Sequence, residues 1–362
     1  MQYARDFLDF EEADMLHPGI YEQTISQALR GEIANASDTQ QVSEEGIDAA
    51  EASRILSAYV EKAVRRSLDG VSGKNALQRQ VQIVNSLIRN MADSILPEDP
   101  ELGCLIASNE VDAPAKQLLS VVDKQNSVGQ ATGRASGFVR PDTSVARTSL
   151  FTGSAHEPQL YTELRKEIES ADQILMLVSF IKWSGLCLIM DELRTFIDRG
   201  GTLRVITTSY MGATDPKAVL ELAKLPRTQV KISYDTTGAR LHAKAYVFQR
   251  DTGFTTAYIG SSNLSNPAMT RGLEWNVKIS RVDQPDTLNK VEATFETYWN
   301  SLEFEDYSPD DQDRLVAAIR HERGRDSQSK AGALSYSFDI NPYSFQQRIL
   351  DKLQSEREVH GC

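Results

Sequence analysis

Three short stretches in the second half of the chain bring together residue types suited to phosphate chemistry. His242-Ala243-Lys244 opens the run HAKAYVFQ, which reads as a strand. Alternate strand residues share a face, so the imidazole and the ammonium point the same way. One can attack phosphorus while the other neutralises charge. Across a hairpin comes Gly260-Ser261-Ser262-Asn263. Its glycine permits close backbone approach, and Ser261 and Asn263 offer neutral donors to phosphate oxygens. Glu274 follows eleven residues after Asn263, at the start of another strand. A carboxylate there could hydrogen-bond His242 and set its tautomer. No Asp, Glu or His at metal-ligand spacing accompanies His242, so no metal is expected and Lys244 supplies the positive charge.

The elements that must hold these residues alternate between helix and strand. Residues 161–170 read as helix and Ile174 to Ile181 (ILMLVSFI) as a buried strand. Leu186 to Arg199 is amphipathic and stops at Gly200-Gly201, a helix C-terminal signal. Strands are expected at 203–208 and 229–234, with a short helix at 216–223 between them. Two more, 243–249 and 255–259, are joined by Arg250-Asp251-Thr252-Gly253-Phe254, a hairpin connection. A strand at 273–280 and a helix at 286–301 complete an α/β layered domain with a mixed sheet. Lys182 and Trp183, just after a central strand, and the Tyr210–Asp215 loop are candidates to line the site.

The chain before this domain has a different pattern. Ile55, Tyr59, Ala63 and Val64 repeat at helical spacing, as do Leu77, Val81, Val84, Ile88, Met91 and Ile95. Gly70 to Gly73 separates these helices and Pro97 ends the second. The expected organisation is a helical N-terminal domain at 1–123, a Gly- and Ser-rich linker at 124–147, and an α/β domain at 148–303. A helix and second linker follow at 304–336, then a distinct segment at 337–362. Three isolated cysteines argue against a disulfide framework or a zinc site and favour a reducing cytoplasm. The acidic N-terminus is no signal peptide, and the longest apolar run is far short of the ~20 residues a membrane helix needs. A net charge of −12 counts against strong non-specific DNA binding, although a local groove can still be basic.

His-x-Lys, then Gly-Ser-x-Asn, then a Glu eleven residues on, resembles the HKD motif of the phospholipase D superfamily, closest to its bacterial nuclease branch. The fold this implies is a phospholipase D-like mixed β-sheet flanked by helices, preceded here by a mostly helical region. The activity it implies is metal-independent phosphodiester cleavage in two steps. His242 would form a phosphohistidine, Lys244 and Asn263 would hold the phosphate, Ser261 would assist, and Glu274 would orient a histidine. The family usually places Asp five residues after the Lys; this chain has Gln249 there, with Asp251 two further on in the hairpin. That departure touches local packing more than chemistry. The mechanism implied also needs a second histidine as acid. Of five histidines, only His242 has Lys two residues on, so a homodimer with a shared site is expected.

A wider resemblance covers roughly residues 147–303. SLFTGS, LVSFIKWSG, TTSYMGATDPKA, SYDTTGARLHAKAYVF and GLEWNVKIS are similar to the phospholipase D domain at the N-terminus of large bacterial DEAD/DEAH-type superfamily II helicases. The segment INPYSFQQ resembles the adenine-reading Gln motif that precedes a helicase P-loop, with Gln346 as its reader. GxxxxGK[ST] is absent. The expectation is therefore a nuclease acting on DNA without a cofactor, forming the N-terminal part of a helicase–nuclease whose missing motor would use ATP. Two rival readings are a catalytically degenerate DNA-binding or dimerising module, and a lipid phosphodiesterase. The latter is disfavoured because no membrane-binding amphipathic helix stands out.

Overall fold

The structure, a computed structural model, describes residues 16–36, 40–121, 139–154, 156–235, 241–270 and 272–332. The chain divides into two units, Met1–Leu119 and Ser120–Cys362. The described part of the first unit is helical: α1 (Gln27–Ala36), α2 (Ala52–Asp69), α3 (Ala76–Ile95) and α4 (Pro100–Ala107). Asp99 starts α4, its side chain accepting from Leu102 N at 3.0 Å while Pro100 takes a first-turn position that needs no donor. Gly103 lies against Leu96, where an added Cβ would come within 2.7 Å of Cγ.

The second unit is built on one sheet. Its elements are β1 (Ser149–Phe151), α5 (Leu160–Ser170), β2 (Gln173–Val178), α6 (Trp183–Leu186), α7 (Met190–Asp198), β3 (Thr202–Thr208) and α8 (Pro216–Ala223). Then come β4 (Thr228–Ser233), β5 (Lys244–Gln249), β6 (Thr256–Gly260), α9 (Asn266–Thr270), β7 (Asn276–Ser280), α10 (Pro285–Trp299), β8 (Phe304–Tyr307) and α11 (Gln312–Gly332). The eight strands lie in the order β1-β7-β6-β5-β2-β3-β4-β8. β2, β3 and β4 are parallel, and the other pairings are antiparallel. The mixture follows from the connections. Helical crossovers return the chain to the same edge and make parallel neighbours, whereas the short 250–255 connection can only reverse it. Gly253, at φ 83°, takes the left-handed position in that turn.

Strand alternation sends side chains to two cores. Ile174, Met176, Val178, Tyr246, Phe248 and Tyr258 meet Leu164 and Ile168 of α5, Phe196 of α7 and Leu222 of α8. Leu175, Leu177, Ile206, Val247, Ala257 and Ile279 meet Leu288 and Phe295 of α10. A charged knot sits within the first face. Glu167, fully buried, accepts from Arg250 Nη2 at 2.5 Å, Tyr258 Oη at 3.0 Å and Thr256 Oγ1 at 2.8 Å, and pairs with Lys278 Nζ at 2.9 Å. It ties α5 to β6 and β7. Burial alone would push this carboxyl up, but Arg250 and Lys278 outweigh it and hold it below the usual carboxylate range.

Several expectations need correction. The strand expected to reach Ile181 ends at Val178, and residues 179–182 turn away to brace a neighbouring loop. The single helix expected at 186–199 is two, broken between Leu186 and Met190. A domain boundary at 303 would cut the sheet, because β8 pairs with β4 from Val230↔Tyr307 to Ser233↔Phe304. The second linker expected within 304–336 gives way to a helix that runs from Gln312 as far as Gly332. That stretch holds no proline and is rich in helix formers, which outweigh its glycines. The end of the linker expected at 124–147 is docked on the domain: Asp142 N and Thr143 N donate to Glu163, and Ser280 Oγ to Val145 O. Residues 124–138, and the 337–362 segment with Gln346, lie outside the described residues.

Candidate active site

The strand register gathers the chemistry at one edge of the sheet. β5 begins where Lys244 pairs with Val178, the C-terminal residue of β2. β6 ends and β7 begins at the pair Gly260↔Asn276. The residues just before β5, just after β6 and just before β7 therefore project from adjacent strands at the same end. His242 stands exposed two residues ahead of Lys244, which is the first residue of β5 and only 5% exposed. Their side chains meet: Lys244 Nζ lies 3.0 Å from His242 Nδ1 and 3.3 Å from Nε2, and donates to His242 O at 2.6 Å. An ammonium has no lone pair, so it donates to the backbone oxygen and, in the neutral imidazole, to whichever one ring nitrogen carries no proton. Burial pushes the Lys244 ammonium below the usual lysine range, while the Glu274 charge works in the opposite direction.

The loop after β6 is held by its neighbours atom by atom. A Cβ on Gly260 would come within 2.0 Å of Trp275 O, so only glycine fits between β6 and the approach to β7. Ser261 N donates to Trp275 O at 3.0 Å, and Trp275 N donates to Ser261 Oγ at 3.1 Å. Ser261 Oγ in turn donates to the Glu274 carboxylate. Ser262, fully buried, faces inward. Asn276 Nδ2 donates to its Oγ at 2.8 Å, its amide reaches Asn276 Oδ1 at 3.4 Å, and Tyr246 Oη donates to its carbonyl at 3.0 Å. Burial pushes the Tyr246 phenol far above its ordinary value, so it remains a neutral donor. With Ser262 pinned inward, Ser261 and Asn263 on either side of it are turned toward the open edge. Asn263 Oδ1 accepts from Phe180 N at 3.2 Å, leaving its amide group for another partner.

Glu274 differs from expectation. Its carboxylate takes the Ser261 hydroxyl, and no hydrogen bond joins it to His242 in the same chain. Its reach to His242 is replaced by a reach to the loop that would hold phosphate. Gln249 sits at the far end of β5, roughly 16 Å from Lys244 at ~3.3 Å per residue. Its Nε2 donates to Glu292 on α10 at 2.7 Å. The position that departs from the HKD pattern therefore packs strand against helix and does not touch the site. Asp251 belongs to the turn, its amide donating to Asp172 at 2.8 Å.

The two loops proposed as a rim are joined to each other and to Asn263. Lys182 N donates to Leu264 O at 2.8 Å, beside a bridge between Ile181 and Leu264. A Cβ on Gly185 would meet Leu264 and Ser265 backbone at 2.5 Å. From the second loop, Asp215 N donates to Ile181 O at 2.8 Å, and its carboxylate takes Trp183 N at 3.0 Å and Lys182 Nζ at 3.5 Å. Lys217 Nζ lies over the Trp183 ring at 4.1 Å. Asn276 and Tyr246 were not singled out from sequence. Alternation carried the signal: Asn276 shares a strand face with Glu274, and Tyr246 with Lys244. Among the described residues no three His, Cys, Asp or Glu side chains gather as metal ligands would, and no helix is long and apolar enough to cross a membrane.

Residues 164–299, which contain all of these groups, match the family described as cardiolipin synthase, PLD-like domain. No curated protein matches the chain. Among solved structures, NucT from Helicobacter pylori is 20% identical, with 42% of this chain and 94% of that one covered at a TM-score of 0.34. Nuc from Salmonella typhimurium, described as a phospholipase D family member, is 22% identical, with 45% and 99% covered at 0.36. Phosphatidylserine synthase from Haemophilus influenzae is 10% identical, with 49% and 46% covered at 0.34.

Proposed function

We propose that the phospholipase D-like domain carried by residues 164–299 cleaves phosphodiesters of DNA through a phosphohistidine, with His242 as nucleophile. The observation that carries this reading is the 3.0 Å contact of Lys244 Nζ with His242 Nδ1, at the sheet edge where Ser261 and Asn263 also emerge. A ring nitrogen of His242 attacks phosphorus, and the bond from phosphorus to the leaving oxygen breaks. That oxygen takes a proton from an acid on the opposite side. Water then attacks the phosphohistidine, gives a proton back to the same acid, and the P–N bond breaks. Lys244 and Asn263 hold the non-bridging oxygens, where positioned donors stabilise the charge that develops. Glu274 takes the single proton of the Ser261 hydroxyl and so fixes the loop that presents Asn263.

The acid comes, on this reading, from His242 of a second copy across a two-fold axis, which supplies a matching imidazole with the least machinery. The absence of Lys two residues after His17, His156, His321 or His360 supports that arrangement. A helicase motor feeding DNA to the site is supported by the sequence resemblance alone. The degenerate-module reading rested on Gln249, whose contact is with Glu292 rather than with the site.

The test is incubation of the protein with single- and double-stranded DNA in EDTA. Cleavage is expected to persist, and to vanish in a folded His242→Ala protein. Cleavage only with added Mg²⁺ or Mn²⁺ would overturn the mechanism. Light scattering is expected to give a dimer, and dimers mixed from wild-type and His242→Ala chains are expected to be largely inactive. A monomer that still cuts would end the shared-site proposal.

A further inference from the structure

Asp215 stands where an aspartate ordinarily serves its own helix. It precedes α8, with Pro216 in the first turn, and a carboxylate there usually accepts from that helix's first backbone amides. The Asp215 side chain makes no such bond. It takes Trp183 N at 3.0 Å and pairs with Lys182 Nζ at 3.5 Å, while the Asp215 amide donates to Ile181 O at 2.8 Å. One residue thus holds three consecutive residues of a loop 32 positions away from it at Trp183. That loop in turn holds the Asn263 segment. Lys182 N donates to Leu264 O at 2.8 Å, Ile181 bridges to Leu264, and Phe180 N donates to Asn263 Oδ1 at 3.2 Å. A backbone N–H can only donate, so it selects the oxygen of the Asn263 amide and turns the amino group the other way. The chain behind Asp215 is braced as well. Met211 and Gly212 are both left-handed, at φ 58° and 60°, a conformation that a residue with a Cβ holds only when its surroundings impose it. Met211 is 49% exposed, so its own packing does not impose it. The neighbour that does is α11: Arg323 Nε donates to Gly212 O at 2.9 Å, and a Cβ on Gly212 would lie 2.5 Å from Arg323 Cγ.

We propose that Asp215 is a positioning residue for the phosphate site. Through the 180–183 segment it fixes the Asn263 oxygen on Phe180 N and so aims the Asn263 amino group at a non-bridging phosphate oxygen. This rests on the phosphodiesterase reading above and adds a residue to it. Aim matters because a donor stabilises the transition state only if it already points to where charge develops. An unheld asparagine side chain rotates and can present either end of its amide. The carboxylate touches no phosphate in this scheme. It works at one remove, by capping the short helix α6 at Trp183 and keeping the residues before it against Asn263 and Leu264. Gly185 within α6 lets the two loops close, since a Cβ there would come within 2.5 Å of the Leu264 and Ser265 backbone.

The experiment places Asp215→Ala and Asp215→Asn in the wild-type chain and in Asn263→Ala. Oligonucleotide cleavage is measured in EDTA, and the asparagine side-chain amide resonances are recorded on protein labelled with ¹⁵N at asparagine. Loss of a pair in Asn263→Ala identifies the Asn263 resonances. In Asp215→Ala, kcat should fall by about ten- to a hundredfold with KM changed far less, and the Asn263 pair should shift while the other pairs stay in place. Asp215→Asn, whose amide oxygen can still accept from Trp183 N, should keep most of the rate and the wild-type resonance position. In the Asn263→Ala background, Asp215→Ala should cost nothing further. An equal fall in both backgrounds overturns the proposal, because a carboxylate that merely supports the fold would act on both alike. An unmoved Asn263 pair in Asp215→Ala overturns it too. Full rate in Asn263→Ala, or no cleavage by wild type, would instead refute the phosphodiesterase reading, and the resonances would still decide whether Asp215 sets the Asn263 side chain.

Discussion

Asn276→Leu tests whether the loop after β6 is held from beneath. The substitution keeps a buried side chain of similar size and removes both contacts with Ser262. One of these is strong, Nδ2 to Oγ at 2.8 Å, and one is long, the Ser262 amide to Oδ1 at 3.4 Å. Bonds weaken as they lengthen toward 3.5 Å. Stranding a buried polar group costs about 1–3 kcal/mol, and Ser262 is fully buried. Taking the long contact at the low end of that range, the expected destabilisation is about 2–4 kcal/mol. Tyr246 still holds the Ser262 carbonyl at 3.0 Å, so the loop should loosen rather than unfold. A displacement of about 1 Å at Ser261 and Asn263 would lower the cleavage rate by about 10²-fold. Urea unfolding and oligonucleotide cleavage on one preparation read both quantities. Ser262→Ala supplies the control, because it removes the hydroxyl that Asn276→Leu strands. The double variant should therefore be less destabilised than the two single costs added together, by about 1 kcal/mol. Strict additivity would refute the hydrogen-bond account, and a full rate in Asn276→Leu would remove Asn276 from the positioning of the site.

Glu274→Gln should reduce the rate less than His242→Ala does, since an amide oxygen can still accept from Ser261; a rate equal to wild type would take Glu274 out of the site. The pH profile of wild-type cleavage should fall on its alkaline side below the ordinary lysine range, because burial lowers the Lys244 ammonium. That limb should move to still lower pH in Glu274→Gln, where the opposing charge is gone; an unmoved limb contradicts the pairing. Glu167→Gln should destabilise the domain by about 3–5 kcal/mol at neutral pH, because Arg250 and Lys278 stay buried without their carboxylate. Glu167 is held below its unfolded value, so its contribution is present above that value and lost as pH falls through the lowered one. Urea unfolding should show wild type losing more stability than Glu167→Gln between pH 7 and strongly acidic pH; parallel losses would exclude the knot as the cause.

The sequence by itself determined the local pattern. His242 and Lys244 stand two residues apart at the head of a strand-patterned run, which keeps them close, although β5 begins only at Lys244 and His242 belongs to the approach before it. Gly260 and the residues after it mark a close approach, since a glycine before Ser-Ser-Asn leaves room that no other residue would. The alternation of helices and strands between 160 and 300 likewise follows from apolar spacing, which short-range sterics and burial convert directly into elements. Tertiary structure decided what those elements meet. The partner of Glu274 proved to be Ser261 rather than His242 in the same chain, a matter of how two strand ends splay, on which spacing along the chain is silent. The role of Gln249 was equally hidden, because its contact is with Glu292, forty-three residues away. Asn276 and Tyr246 are ordinary strand residues until β5, β6 and β7 come side by side and both close on Ser262. The extent of the sheet could not be read either: β8 is four residues long, with buried ends and exposed centre, too short for periodicity to distinguish from a loop. It becomes a strand because the edge of β4 has unpaired backbone groups that must find donors and acceptors.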